Sequence, residues 1–165
     1  MPTLSLRNAS WLTLSFALVS APHTERLPWW VPVLVSALIV WRLYLARSRR
    51  SLPPRLVLML IVAGATGGVY LHYATLFGRD AGVALLVVML ALKLLEMRTS
   101  RDAMLLIFLS YFLVITNFLY SQTIPTALYM LACVWFITAG MVGVNYTRAP
   151  KSIAPQLRTA GVLLV

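Results

Sequence analysis

The sequence predicts an all-α fold: a polytopic transmembrane helical bundle of six spans plus the start of a seventh. Three observations predict it. First, 61% of the 165 residues are hydrophobic and the mean hydropathy is +0.86, whereas soluble domains usually carry about 45–50% apolar residues. So small a globule leaves much of its surface exposed and cannot hide that excess. Second, the apolar residues fall in long runs, most of them near the roughly 20 residues that cross about 30 Å of hydrocarbon at about 1.5 Å per residue. Third, the net charge of +10 is concentrated in alternate short loops. A nucleic-acid binder would gather it on one polar face, so nucleic acid is excluded as a partner and the lipid bilayer is the expected one.

The organising stretch is Gly78–Gln122. Two apolar runs, Ala81–Met97 and Ala103–Tyr120, flank a charged hinge, Arg98–Asp102, and read as a transmembrane hairpin. Three of the four acids of the chain, Asp80, Glu96 and Asp102, lie in it.

Ala9–Ala21 is apolar but short. It fits a signal peptide ending at Val19-Ser20-Ala21, or a short first helix. The helix is preferred because one basic residue precedes it and further spans follow. Trp29–Ala46 is the second span, opened by the interface anchors Trp29 and Trp30, with Pro32 in its first turn. Arg42, near its far end, is expected to snorkel to the headgroups. A basic loop to Arg55 follows. Leu56–Tyr73 is the third span. Its Gly64 and Gly68 lie one turn apart on one face, which suits a dimer contact or, preferably, packing within the bundle. Tyr70, His72 and Tyr73 form a belt at its outer end. Ile124–Tyr146 is the sixth span, with Ala139 and Gly143 as a second small-residue seam. Thr147–Pro155 is basic, and a seventh run begins near Arg158. The sequence stops inside that run, so continuation past Val165 is expected. The nine prolines all fall in loops or at helix starts, so no span is proline-broken.

Orientation follows from the positive-inside rule. Arg7, Arg42, Arg47, Arg49, Arg50, Arg55, Lys93, Arg98, Arg101, Arg148, Lys151 and Arg158 fall on one side. Arg26 and Arg79 fall on the other, and together these are all fourteen basic residues. The N-terminus is therefore expected in the cytoplasm.

Candidate polar residues are few. Lys93 and Glu96, three apart on one helical face, suit either an ion relay or a paired, snorkelling interface joined by Arg98 and Arg101; their shallow depth favours the second. Thr99-x-x-Asp102 before an apolar run reads as a helix cap, with the carboxylate at the positive end of the helix dipole. Arg79-Asp80 offers the same for the preceding helix. Asn117, with Ser110 and Tyr111, is expected to join helices. His23 and His72 lack a third ligand, so no metal or cofactor site is predicted. Cys133 is a lone thiol mid-span, where a small hydrophobe is expected. No catalytic set or phosphate loop is visible.

The segments Gly78-Arg79-Asp80-Ala81-Gly82, Leu92-Lys93-Leu94-Leu95-Glu96, Arg101-Asp102-Ala103, Tyr111-Phe112-Leu113 and Ser121-Gln122 resemble, in order and spacing, the N-terminal membrane domain of bacterial transglutaminase-like proteins of the TgpA type. The resemblance implies an inner-membrane protein of a Gram-negative bacterium. It further implies a periplasmic domain after Val165 that uses a Cys-His-Asp triad for acyl transfer or hydrolysis at protein glutamines. It places no catalytic residue in this stretch. A seventh span would deliver such a domain to the outer side. Two other readings stand beside it. A small transporter or lipid-handling protein would turn Lys93, Glu96 and Asn117 to a shared cavity. A membrane scaffold would pair with itself or another membrane protein through Gly64 and Gly68.

Overall fold

The computed structural model describes residues 6–48, 53–145 and 154–164. Arg49, Arg50, Arg148 and Lys151, with the loops that carry them, and the Tyr146 end of the sixth run lie outside the described residues.

Among the described residues the chain is helical almost throughout: α1 (Leu6–Ser20), a 3-10 turn (Ala21–His23), α2 (Trp30–Ser48), α3 (Arg55–Tyr73), α4 (Arg79–Glu96), α5 (Ser100–Asn117), α6 (Ile124–Asn145) and α7 (Ala154–Leu164). Boundaries move from the sequence expectation where polar residues join a first turn. Thus α4 starts at Arg79 and α5 at Ser100, and the supposed hinge shrinks to residues 97–99. At its other end α5 stops at Asn117, because Phe118, Leu119 and Tyr120 donate to the carbonyls three residues back and tighten the chain into turns.

By length and composition α2, α3, α5 and α6 can cross a membrane. With 15 residues α1 is shorter, and α7 covers 11. In α4 the charges Arg79, Asp80, Lys93 and Glu96 occupy the two ends, leaving Ala81–Leu92 as an uncharged core about 18 Å long.

The helices form two compact units, one of residues Ser20–Met97 and one of residues up to Val19 together with Arg98 onward. In the first, α2 and α3 both pack on α4. Ala81, Ala84, Val88, Ala91 and Leu95 of α4 are buried; its small side chains let the neighbouring backbones come close. One end is closed by a cluster of Val69, Ala81 and Ala84, against which Leu27, Trp30, Tyr73 and Leu85 pack. Gly68 makes room for the Trp30 ring, whose nearest atom lies 3.2 Å from where a Cβ would stand. A left-handed Ala74 (φ 55°) caps α3, its N–H reaching the Tyr70 carbonyl at 2.8 Å.

In the second unit α5 and α7 pack on α6, and the C-terminal half of α6 presents a different neighbour to each helix. Thr138 Oγ1 lies 2.7 Å from the Tyr111 hydroxyl of α5. Gly140 faces Trp11 and Leu12 of α1, and Gly143 faces Gln156 of α7. The Trp11 ring stacks flat on Phe136 with centroids 4.5 Å apart, and its indole N–H donates to the Phe136 carbonyl at 3.0 Å.

Both units turn large apolar side chains outward, among them Met59, Leu60 and Leu71 on α3, Phe108, Phe112 and Ile115 on α5, and Leu128 and Leu131 on α6. Soluble monomers seldom expose so many large apolar side chains; in lipid they are the ordinary outer face of a helix.

Candidate functional site

The polar residues picked out in sequence concentrate at the α4–α5 turn. At the end of α4, Lys93 Nζ and Glu96 Oε2 pair at 3.4 Å, both half-buried. The pair spans one helical turn and reduces the cost of either charge near hydrocarbon. Beyond it the chain makes a full capping box. Thr99 Oγ1 accepts the Asp102 N–H at 3.3 Å, and Asp102 Oδ2 accepts the Thr99 N–H at 3.1 Å. The same carboxylate oxygen takes the Arg98 N–H at 3.2 Å and the Thr99 hydroxyl at 2.9 Å. Its charge also faces the positive end of α5. Arg98 and Arg101 stand exposed beside it. Thr99→Ala removes the acceptor of one orphan N–H and should cost about 1 kcal/mol, while Thr99→Ser should cost little. The midpoint of thermal unfolding in detergent reads both.

The other candidates lie elsewhere. At the start of α4 Arg79 pairs with Asp80 at 3.3 Å on an exposed surface. Asn117 ends α5 and is buried, its carbonyl accepting the Tyr120 and Ser121 N–H groups. Tyr111 joins α5 to α6 as glue, whereas Ser110 turns back on its own helix, donating to the Leu106 carbonyl at 2.8 Å. Gly64 and Gly68 do not share a neighbour: Gly68 meets Trp30, and nothing stands within 4 Å of a Cβ at Gly64. His23 is buried in its turn, and His72, at the end of α3, meets the Tyr73 ring edge-on at 4.8 Å. Among the described residues no three His, Cys, Asp or Glu side chains come together to hold a metal ion.

Arg42 is the residue whose role the sequence concealed. It does not snorkel to the headgroups but is buried, and its guanidinium crosses from α2 to the C-terminal end of α4. Nε donates to the Leu94 carbonyl at 3.1 Å and Nη2 to the Met97 carbonyl at 3.4 Å. Those carbonyls have no partner within the helix ladder, and a cation there also faces the negative end of the helix dipole.

These groups orient helices; they do not set a nucleophile beside a base. The one thiol, Cys133, is buried within α6. The TgpA N-terminal domain family matches residues 11–165, nearly the whole chain. The chain belongs to that family. It is also 35% identical over 155 residues to a protein-glutamine gamma-glutamyltransferase of Pseudomonas aeruginosa, an alignment that takes in 94% of this chain and 23% of that protein. The chain thus spans about a quarter of the length of this curated relative. No solved structure matches it.

In this TgpA N-terminal domain, side-chain donors reaching backbone carbonyls recur between helices. Asn8 Nδ2 donates to the Gly143 carbonyl at 2.9 Å, the Tyr129 hydroxyl to Leu18 at 2.8 Å, and the Trp135 indole to Leu157 at 3.1 Å. Helical carbonyls keep a second lone pair, so such bonds join helices without breaking them. No residue spacing announces them, because the acceptor is backbone.

Proposed function

We infer that this domain is the multi-pass inner-membrane part of a transglutaminase-like protein of a Gram-negative bacterium. Its N-terminus lies in the cytoplasm, six helices cross, α7 opens a seventh crossing, and a following periplasmic domain is held at the outer face. The observation that carries the reading is the family membership, with a relative named for glutamine acyl transfer of which this chain matches 23%. The activity then belongs to the remainder of the protein, and the helices described here fix where it acts. The sorting of basic residues, twelve against two, supports the orientation.

The short helix α1 and the charge-ended helix α4 cross with their neighbours' help. In α4 the ion pairs Arg79–Asp80 and Lys93–Glu96 sit at the two ends, and its buried middle is sheltered by protein, which offsets the shortness of its uncharged core. The reaction assigned to the whole protein is transfer of a glutamine side-chain acyl group to an amine, with ammonia leaving. Membranes carrying the full-length gene product should incorporate a labelled primary amine into a glutamine-containing acceptor protein. A well-folded, membrane-inserted product with no such incorporation, and no release of ammonia from the acceptor, would contradict the assignment.

A further inference from the structure

The end of the first unit that carries the α3–α4 loop shows an unusual surface. Trp29, in the turn before α2, is 80% exposed, Leu71 near the end of α3 is 84% exposed and Phe77 in the loop is 92% exposed, with Tyr70 and Leu76 exposed beside them. The packing of Leu27 and Trp30 with Val69, Tyr73, Ala81 and Leu85 brings these three segments to one end. The charged residues there are Glu25, Arg26, Arg79 and Asp80, two acids and two arginines that cancel. Presented to water, Leu76 and Phe77 would each forgo a favourable burial.

We propose that this end is an interfacial docking surface for lipid: the Leu76–Phe77 loop inserts into the headgroup–acyl boundary of the outer leaflet, flanked by Trp29 and Tyr70. The proposal rests on the membrane reading above. Two features favour lipid over a protein occupant. The patch continues the face of α3, the helix with the smallest buried share of the four membrane-capable ones, 17% of its apolar window; Tyr70 and Leu71 belong to that face and pass directly into the loop. Within the loop, both backbone groups of Phe77 have a partner. Thr75 Oγ1 accepts the Phe77 N–H at 3.0 Å and donates to the Phe77 carbonyl at 3.0 Å. The Ala74 N–H reaches Tyr70, and the Gly78 carbonyl accepts the Gly82 N–H, each at 2.8 Å. Backbone groups carried below the headgroups lose access to water and need partners in the protein; at Phe77 both have one. Aromatic rings with a polar rim match the bilayer interface, where one side is apolar and the other wet.

Photo-crosslinking in the full chain, expressed in its own membrane, tests this. A benzophenone amino acid is placed singly at positions 77, 71, 59 and 25, and adducts are identified by mass spectrometry. Position 59 lies on the exposed face of α3, one turn from the opposite end of that helix, and position 25 marks the polar turn. Phospholipid adducts at 77 and 71 comparable with those at 59, and lost at 25, are expected. Lipid adducts at 59 with none at 77 would overturn the insertion, as would crosslinks from 77 to a second copy or to a protein domain. Absence of lipid adducts at 59 would instead show that the membrane reading itself had failed. Because Phe77 is so exposed, the substitution disturbs no packing, and position 76 provides a second site in the same loop.

Discussion

Arg42→Met should lower the stability of the Ser20–Met97 unit by about 2–4 kcal/mol, since hydrogen bonds from a charged donor contribute about 1.5–3 kcal/mol each and their loss leaves buried carbonyls bare. Two bonds go at once, to the carbonyls of Leu94 and Met97. Methionine keeps much of the apolar volume, so the loss reports the guanidinium and not a cavity. Arg42→Lys should recover only part of it, because a single ammonium cannot reproduce the fork that reaches two carbonyls three residues apart. Arg47→Met is the control. Arg47 lies five residues further along α2, is exposed, and its replacement should leave the unfolding midpoint in detergent almost unmoved.

Gly140→Val should cost about 1–3 kcal/mol, the usual penalty of forcing extra atoms into a filled contact. Even a lone Cβ at Gly140 would stand 3.0 Å from Trp11 Cδ1 and 3.2 Å from Leu12 Cδ2. The Trp11 ring has little freedom to retreat, being stacked on Phe136 and bonded to its carbonyl. The expected consequence is that α1 lifts from α6. Cleavage near residue 20 by added protease, or faster hydrogen exchange along α1, would report the separation. Gly64→Val should do neither, since nothing lies within 4 Å of that position.

Much of the architecture was legible because hydropathy and punctuation agree. Each apolar run became a helix, Thr99-x-x-Asp102 became a capping box, and Lys93 and Glu96 paired as their spacing requires. What sequence could not reveal was the direction in which long side chains point. Arg42 at the end of an apolar run has the same pattern whether it climbs to the headgroups or turns inward, and the carbonyls that hold it leave no mark in the residue types. The glycines teach the same lesson. Gly64 and Gly68 share a helical face, yet only Gly68 meets a neighbour, because the Trp30 ring of α2 reaches Gly68 and nothing reaches Gly64. Conversely Gly140, outside the seam of Ala139 and Gly143, turned out to be the contact for α1. The apolar run begins at Ala103, three residues after α5 does, because Ser100, Arg101 and Asp102 are polar yet fill the first turn that Thr99 caps.

The proposed topology threads the domain through the membrane with its basic loops on the cytoplasmic side. Paired fusions of alkaline phosphatase and β-galactosidase after Ser51 and after Gln122 test it most directly. Phosphatase should be inactive and galactosidase active after Ser51, with the reverse after Gln122. Active phosphatase after Ser51 together with inactive phosphatase after Gln122 would contradict it.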